Sequence, residues 1–534
     1  MRRWSRLGDD ARRLRLQTER ALHALETLRA GEPMDAEPAA VEARLRLLLA
    51  GAPDLAARPL RLGSRPATLF FLEEMVDESR MERLLVALLE QGGPPAAAAG
   101  PSEVRQRLLG GSRLRPARTY GEAAQALADG QALLTAAGWR EGLLLALEHV
   151  KRRSLEEPKA ESVVRGPREG FIEDLETNLA LVRARLRDPG LRVVELRLGR
   201  RTRTRVAVLY LVDLASVALV DEVLARLRRI DLDGILESAY IEELIEDDPY
   251  SLFPQMLHSE RPDVVVAQLL EGRVAVLTDG TPFALMAPAT LWSLLQANED
   301  YYERFWIGVA IRVLRLVLVF LALVLPGLYV AVTTFHQEMI PTALLLRLAA
   351  AREGVPFPAM VEALIMEGTF EILREAGVRL PRQIGQALSI VGALVIGSAA
   401  VQADIVSAPM VVVVAMTGIA SFALPHYNLA IALRILRFEL IILGGALGLY
   451  GLMLGLLATL VHLSSLRSFG VPYLAPVAPL SLQGLRDALL LLPHWAVARR
   501  PADVEPHDPV RSGSGLKPRP PVPLAVTAGR RHEE

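Results

Sequence analysis

Two long apolar stretches separated by a short polar joint dominate the second half of the chain. No side chain is charged between 384 and 401, or again between 405 and 424. Each stretch is close to the roughly 20 residues that a helix needs to cross the hydrocarbon layer of a bilayer. Further apolar stretches at 307–332 and 438–462 favour membrane helices over a hairpin buried in a large soluble core.

Small residues are concentrated in the first of these stretches. In membranes, small side chains mark the places where helix backbones pack closely. We therefore predict that Gly392, Gly397, Ser398 and the nearby Gln402 lie at a helix contact or along a pore. The pattern alone does not separate these two interpretations.

Charged residues interrupt the apolar block at 340–373, which could be a short span, a re-entrant pair or an interfacial helix. Its acidic residues Glu362, Glu367 and Glu371 fall near one face of a helix. Because polar groups in hydrocarbon are costly and are kept mostly for a reason, Glu367 and Glu371 are further pore or helix-packing candidates. Arginines in two loops favour the cytoplasmic side, so the block should return the chain across the bilayer, which gives five or six membrane segments.

A duplicated pattern occupies the charged first half of the chain. The motif Leu-Arg-Leu-Gly occurs at 60–63 and again at 196–199. Each copy precedes an apolar run and then an amphipathic stretch, which is the order expected for strand, turn, strand and helix. We predict two related α/β domains in tandem.

The predicted fold class is an α+β/α membrane protein, in which two tandem cytoplasmic α/β domains precede a helical transmembrane domain of about five or six segments. The cytoplasmic location follows from the lack of a signal-peptide pattern and from the arginines before the first span. The predicted boundaries are an N-terminal helical extension at 1–50, a first α/β domain at 51–155, a second α/β domain at 156–303, a transmembrane domain at 304–495 and a disordered cytoplasmic tail at 496–534.

Composition narrows the possible chemistry. The 534 residues include no cysteine, which excludes disulfides, thiol catalysis and cysteine-ligated metals. A formal net charge of −1 predicts no attraction to nucleic acid. No phosphate-binding loop, nucleophile elbow or paired histidine ligand motif occurs, so we predict no catalytic residue, no cofactor and no enzyme activity.

An acidic cluster between Glu242 and Asp248 could hold a divalent cation, because hard cations bind several oxygen ligands. The alternative is a solvated helix end before Pro249, which ordinary charge patterning favours. We therefore predict no metal site.

Four segments resemble the A subunits of GerA-type spore germination receptors. The longest begins EELIEDDPYSLFPQMLHSERPDVVV at Glu242 and ends at Pro288. The others are VVRGPREGF at 163–171, TTFHQEMIPTALLL at 333–346, and a segment at 351–397 that begins AREGVPFPAMVEALIMEG. Together they extend the resemblance over about 161–438.

The resemblance implies a multi-pass protein of the spore inner membrane that acts as the A subunit of a nutrient germinant receptor. The implied partners are a transporter-like B subunit, a lipoprotein C subunit and the lipid bilayer. A subunits of this family are thought to assemble into a ring, expected to be a pentamer, that forms a nutrient-gated channel for monovalent cations and triggers germination. The resemblance implies no nucleic acid and no cofactor.

The sequence leaves three alternatives to a receptor subunit open. The same superfamily contains the stage V sporulation AF protein, so an accessory channel of that type is one alternative. A secondary transporter is another, although it would contain inverted repeats and the duplication here lies only in the charged half. The third is a membrane scaffold that does not conduct ions.

Overall fold

The computed structural model describes residues 31–49, 52–90, 114–147, 165–379, 397–488 and 490–518 apart from 505 and 514, together with isolated positions between these ranges. Several predicted features lie outside the described residues. They are Gly392, most of the predicted span at 384–401, the first 30 residues of the predicted extension and the end of the predicted tail.

The first α/β domain is built around a five-stranded sheet. Its elements are α1 (Pro38–Leu48), β1 (Leu55–Leu62), β2 (Arg65–Leu72), α2 (Glu78–Glu90), β3 (Leu114–Ala117), α3 (Tyr120–Ala128), β4 (Ala132–Ala136) and β5 (Gly142–Leu145). The strand order is β1-β2-β4-β5-β3, and every neighbouring pair is antiparallel.

The second α/β domain repeats this topology. Its elements are α4 (Leu175–Arg185), β6 (Leu191–Leu198), β7 (Thr204–Leu211), α5 (Val217–Arg229), α6 (Ser238–Ile245), β8 (Leu257–Ser259), α7 (Pro262–Leu270), β9 (Val274–Thr278) and β10 (Ala284–Ala287). The strand order β6-β7-β9-β10-β8 matches that of the first sheet strand for strand, as the duplicated sequence pattern predicts. Both Leu-Arg-Leu-Gly motifs end in a hairpin turn, where Gly63 and Gly199 have φ values of 62° and 86° that glycine adopts without steric cost.

The second sheet is buried on both faces. Successive side chains of a strand point to opposite faces, so Val206 and Val208 of β7 join one apolar cluster while Ala207 and Leu209 join another. This explains why β7 has a continuous apolar run instead of an alternating pattern.

A buried ion pair joins the two α/β domains. Arg183 of α4 donates to Asp54, just before β1, at 2.8 Å, and both side chains are almost fully buried. A second nitrogen of Arg183 lies 2.7 Å from the other carboxylate oxygen, an electrostatic contact beside the one hydrogen bond. A charge-assisted hydrogen bond between buried groups holds the two domains together at this point.

The helical part of the chain follows the second sheet. Its elements are α8 (Leu291–Leu295), α9 (Glu299–Tyr302), α10 (Phe305–Phe335), α11 (Thr342–Arg352), α12 (Ala359–Arg379), α13 (Gly397–Gln402), α14 (Ala408–Ser421) and α15 (Tyr427–Ser465). Within the described residues, only α10 and α15 are long and apolar enough to cross a membrane, and α14 is a shorter apolar helix. By this criterion the described chain does not contain the five or six segments predicted, since charges interrupt α12 and the span at 384–401 is mostly outside the described residues.

Gly448 divides α15 into two antiparallel arms, 427–447 and 449–465. Its φ of 66° and ψ of −146° are not helical. A Cβ atom on Gly455 would lie 2.6 Å from the side chain of Leu440, whereas a straight helix would separate these residues by about 22 Å. The prediction of one uninterrupted span at 438–462 is therefore wrong, because hydropathy does not reveal a reversal at a single glycine.

Helix α10 runs parallel to the first arm of α15. A Cβ atom on Gly327 would lie 2.8 Å from the carbonyl oxygen of Leu440, and one on Gly444 would lie 2.7 Å from the carbonyl oxygen of Gly327. Near the end of α10, the ring of His336 approaches Gly448. The two backbones touch because glycine occupies the crossing on both helices.

After α15 the chain returns to the second α/β domain. The elements here are β11 (Arg467–Ser468), β12 (Val471–Pro472) and α16 (Leu482–Ala488). Tyr473 donates its hydroxyl hydrogen to the carbonyl oxygen of Pro254 at 2.8 Å, and Phe469 and Val504 enter the core of the second domain. Disorder is predicted from 496 onward on composition, but in the structure Val504 is buried and the backbone N–H of His507 donates to Leu214 at 3.1 Å.

Candidate functional site

A row of ion pairs joins α12 to the first arm of α15. Arg437 Nη1 lies 2.7 Å from Glu367 Oε2, and both side chains are almost fully buried. Four residues further along α12, Glu371 binds Arg434 at 2.7 Å and Arg374 at 3.1 Å. Since the partners run in opposite order along the two helices, α12 is antiparallel to the first arm.

These contacts give the two acidic candidates on α12 a structural environment. Glu367 and Glu371 face arginines of a neighbouring helix, so in a single copy of the chain they hold α12 in place. Removing one member of a buried pair leaves an uncompensated charge and costs about 3–5 kcal/mol. A role for either residue along a pore stays a prediction.

Glu362 belongs to a different contact. Its carboxylate accepts hydrogen bonds from the backbone N–H of Ser407, at 2.6 Å, and from the hydroxyl of Ser407, and it lies 3.6 Å from Arg352. The prediction that Glu362 shares a face with Glu367 is wrong, because five residues rotate a helix by about 140°. Glu362 instead holds the start of α14 against α12.

Two arginines near the start of α10 share one carboxylate. Arg315 forms a bidentate pair with Asp300 at 2.8 and 2.9 Å, and Arg312 Nε lies 3.5 Å from the same group. Arg312 also donates to the carbonyl oxygen of Asp487 in α16. These buried contacts attach α10 to α9, which precedes it, and to α16, which follows α15.

Gly397 and Ser398 lie at the end of the first predicted span, and Gln402 begins the polar joint that follows it. Gly397 is buried, and a Cβ atom on it would make only an ordinary contact with Val411 at 3.8 Å. Ser398 and Gln402 are exposed, while Gly392 lies outside the described residues. Gln402 is five residues before Ser407 and so is near the Glu362 end of α12. About two and a half helical turns separate this end from Glu371.

The sequence does not predict the close crossing of α10 and α15. Gly327 follows a proline between large apolar residues, and Gly444 begins a short Gly-Gly-Ala run. The only indication of this crossing in the sequence is that both apolar stretches contain glycine. That observation does not identify which glycines of the two helices are in contact.

The acidic cluster at 242–248 is partly buried, unlike the solvated helix end that charge patterning favours. Burial raises the pKa of Glu242 to about 8 and that of Glu246 to about 7. Asp247 pairs with Arg226, and the side-chain oxygen of Gln255 accepts the backbone N–H groups that follow α6 at 3.0 and 2.9 Å. Across the described ranges, no group of three or more His, Asp or Glu side chains could hold a metal ion.

Both ends of α15 contact the second α/β domain. Near its start, the Asn428 amide lies 3.5 Å from Nδ1 of His258, and near its end Nε2 of His462 lies 2.9 Å from the Ser251 hydroxyl. Burial lowers the pKa of His258, so this ring is neutral at pH 7. Leu429 and Leu463, one at each end of α15, belong to the same apolar cluster as the second sheet.

These features define a class of protein in which a tandem α/β unit precedes one apolar helical domain. The helical domain contacts the α/β unit through both of its own ends. The sequence profile described as Bacillus/Clostridium GerA spore germination protein matches residues 43–503. This chain belongs to the GerA spore germination protein family.

Individual relatives match over most of their length. Spore germination protein KA of Bacillus subtilis (strain 168) is 46% identical over 470 residues, which cover 88% of this chain and 86% of that protein. The uncharacterized membrane protein YfkQ of the same organism is 50% identical over 399 residues, which cover 75% of this chain and 78% of that protein. The N-terminal domain of the A subunit of the Bacillus megaterium spore germinant receptor GerK3 is 28% identical, with a TM-score of 0.40, and the match covers 49% of this chain and 98% of that domain.

Proposed function

We propose that this chain is the A subunit of a nutrient germinant receptor in the inner membrane of a bacterial spore. The observation that carries the proposal is the extent of the family match, which runs from 43 to 503 and so includes both α/β domains and the helical domain. A match confined to the α/β domains would support a common fold without a common role.

We further propose that the helical domain crosses the bilayer six times. Helix α10 and the first arm of α15 run one way, whereas α12 and the second arm run the other way. Helix α14 runs with α12, because Ser407 meets Glu362 and Gly418 meets Phe370 further along both helices. With the predicted span at 384–401 the total is six, and an even number suits a domain whose two ends contact the same α/β domain.

In this proposal, copies of the chain form a ring, expected to be a pentamer, around a path for monovalent cations. A transporter-like B subunit and a lipoprotein C subunit complete the receptor. Nutrient binding to the partner opens the path only if the closed and open rings differ in their contact free energy with that partner. The row of paired charges between α12 and α15 supports this reading, since it keeps each subunit rigid while a ring changes shape.

The test is release of potassium from spores after exposure to candidate nutrients, with wild-type spores compared with spores that lack this chain. We expect the deletion to abolish release by at least one nutrient and to leave non-nutrient triggers effective. Unchanged release with every nutrient would contradict the receptor assignment. Complementation by the full chain on a plasmid controls for effects on neighbouring genes.

A further inference from the structure

Glu439, in the first arm of α15, carries an exposed carboxylate. No described residue forms an ion pair or a hydrogen bond with it, in contrast to Glu362, Glu367 and Glu371, which all have partners inside the helical domain. The nearby Arg437 already forms an ion pair with Glu367. The charges of Glu362, Glu367 and Glu371 are therefore compensated inside the helical domain, whereas Glu439 lies on its outer surface.

Glu439 lies deep in the apolar part of the arm. It is nine residues from the reversal at Gly448, a distance of about 13 Å along a helix. The hydrocarbon layer of a bilayer is about 30 Å thick, so a reversal at one membrane surface puts Glu439 near the middle of the layer.

The same face of the arm is otherwise apolar. Ile435 and Ile442 flank Glu439 by about one helical turn on either side and are 42% and 48% exposed. A carboxylate in contact with hydrocarbon on such a face is strongly disfavoured. Contact with water would remove this free-energy cost. Water reaches the middle of a membrane where several copies of one chain surround a common axis.

We propose that this face of α15 meets the same face of other copies around an axis, so that Glu439 forms a ring of carboxylates along a water-filled path, flanked by rings of Ile435 and Ile442. The inference rests on the proposed function and identifies the group that selects cations. Rings of acidic side chains favour cations, and apolar constrictions close a path by excluding water. In the closed state the isoleucine rings exclude water from the path. When water fills the path, the Glu439 carboxylates raise the local concentration of cations.

Access of water to this face can be measured directly, because the chain contains no cysteine. Single-cysteine variants Glu439→Cys, Ile435→Cys and Phe320→Cys would be treated with a charged methanethiosulfonate reagent in membranes that contain the full receptor. Phe320 of α10 is exposed at a similar depth and serves as the control that faces lipid. We expect nutrient to accelerate labelling at 439 and 435 and not at 320. Labelling at 439 as slow as at 320 would assign Glu439 to the lipid surface and overturn the proposal.

The role of the charge is tested with the full chain and its partners in spores. Glu439→Gln should lower nutrient-triggered potassium release about tenfold, since a cleft of one charge raises the local counter-ion concentration by at least that factor. Glu439→Asp should retain most of the release, and Glu353→Gln, at an exposed position after α11, is the matched control. Equal release from wild type and Glu439→Gln would overturn the proposal while leaving the channel assignment intact. Absence of release from wild type would instead contradict the proposed function, and the labelling result would still decide where Glu439 faces.

Discussion

The guanidinium of Arg437 and the carboxylate of Glu367 meet at 2.7 Å across 70 positions of sequence, and almost no solvent reaches either side chain. Glu367→Gln should therefore lower the free energy of unfolding of the detergent-solubilised chain by about 3–5 kcal/mol, because it leaves Arg437 buried without a counter-charge. Thermal unfolding followed by circular dichroism measures the effect.

Exchanging the two charges distinguishes the contribution of the ion pair to stability from the contributions of the two individual residues. The double variant Glu367→Arg with Arg437→Glu should recover part of the lost stability, whereas Glu353→Gln, at an exposed position, should change little. If the double variant is as unstable as the sum of its single variants, the two residues do not act as a pair.

The crossing of α10 and α15 predicts opposite effects for two similar substitutions. Gly444→Ala adds a methyl group 2.7 Å from the carbonyl oxygen of Gly327, so it should push the helices apart and lower the melting temperature. Gly368→Ala adds the same group where nothing lies within 4 Å, and it should be neutral or stabilising by up to about 1 kcal/mol. Similar melting temperatures for both variants would contradict the close crossing.

The contact between the two α/β domains should respond to pH through Glu74, which lies in the turn after β2 and near the Asp54–Arg183 pair. Burial, followed by the nearby carboxylate of Asp54, raises the pKa of Glu74 from 4.5 to about 9, and its Oε2 atom is buried without a hydrogen-bond partner among the described residues. The folded chain then binds this proton more tightly than the unfolded chain does. Its contribution to stability is complete below pH 4.5 and is lost as the pH rises through about 9.

The measurement for Glu74 is urea unfolding of the full chain across that pH range. Glu74→Gln should flatten the decline in stability toward alkaline pH, since glutamine has no proton to lose. Glu73→Gln is the control, because Glu73 is adjacent and exposed. A decline of the same steepness in Glu74→Gln would assign the pH dependence to other groups.

The reversal of α15 at Gly448 predicts the sidedness of three positions. Cysteines introduced at the exposed Tyr427 and Ser464 should react with a membrane-impermeant reagent from the cytoplasmic side, and one at Tyr450 from the opposite side. A single crossing between 438 and 462 would instead put 427 and 464 on opposite sides. Right-side-out and inverted vesicles that contain the full chain distinguish these patterns.

The sequence was informative where one segment carries its own signal. The duplicated Leu-Arg-Leu-Gly motif predicted two related α/β domains because a hairpin turn requires glycine at a local position. Apolar stretches likewise predicted α10 and the apolar character of α15. These features depend on residues that lie within a few positions of one another.

The parts that were missed depend on residues far apart in sequence. The acidic residues Glu367 and Glu371 stand out within an apolar block, but their partners on α15, Arg437 and Arg434, lie more than 60 positions away, and no local pattern connects the two helices. The reversal of α15 depends on the backbone angles of one glycine among several. The C-terminal segment looks disordered by composition because it is rich in proline and arginine. Its packing depends on the second domain, for example on the carbonyl oxygen of Leu270, which accepts a hydrogen bond from Arg500 across 230 positions of sequence.

The attachment of both ends of the helical domain to one α/β domain has a mechanical consequence. Near the start of α10, Leu316 packs against the apolar cluster of the second sheet, and Ser251 binds His462 near the end of α15. Both ends of the helical domain are therefore attached to the same α/β domain. A rotation of the α/β domain should therefore move α10 and the second arm of α15 together.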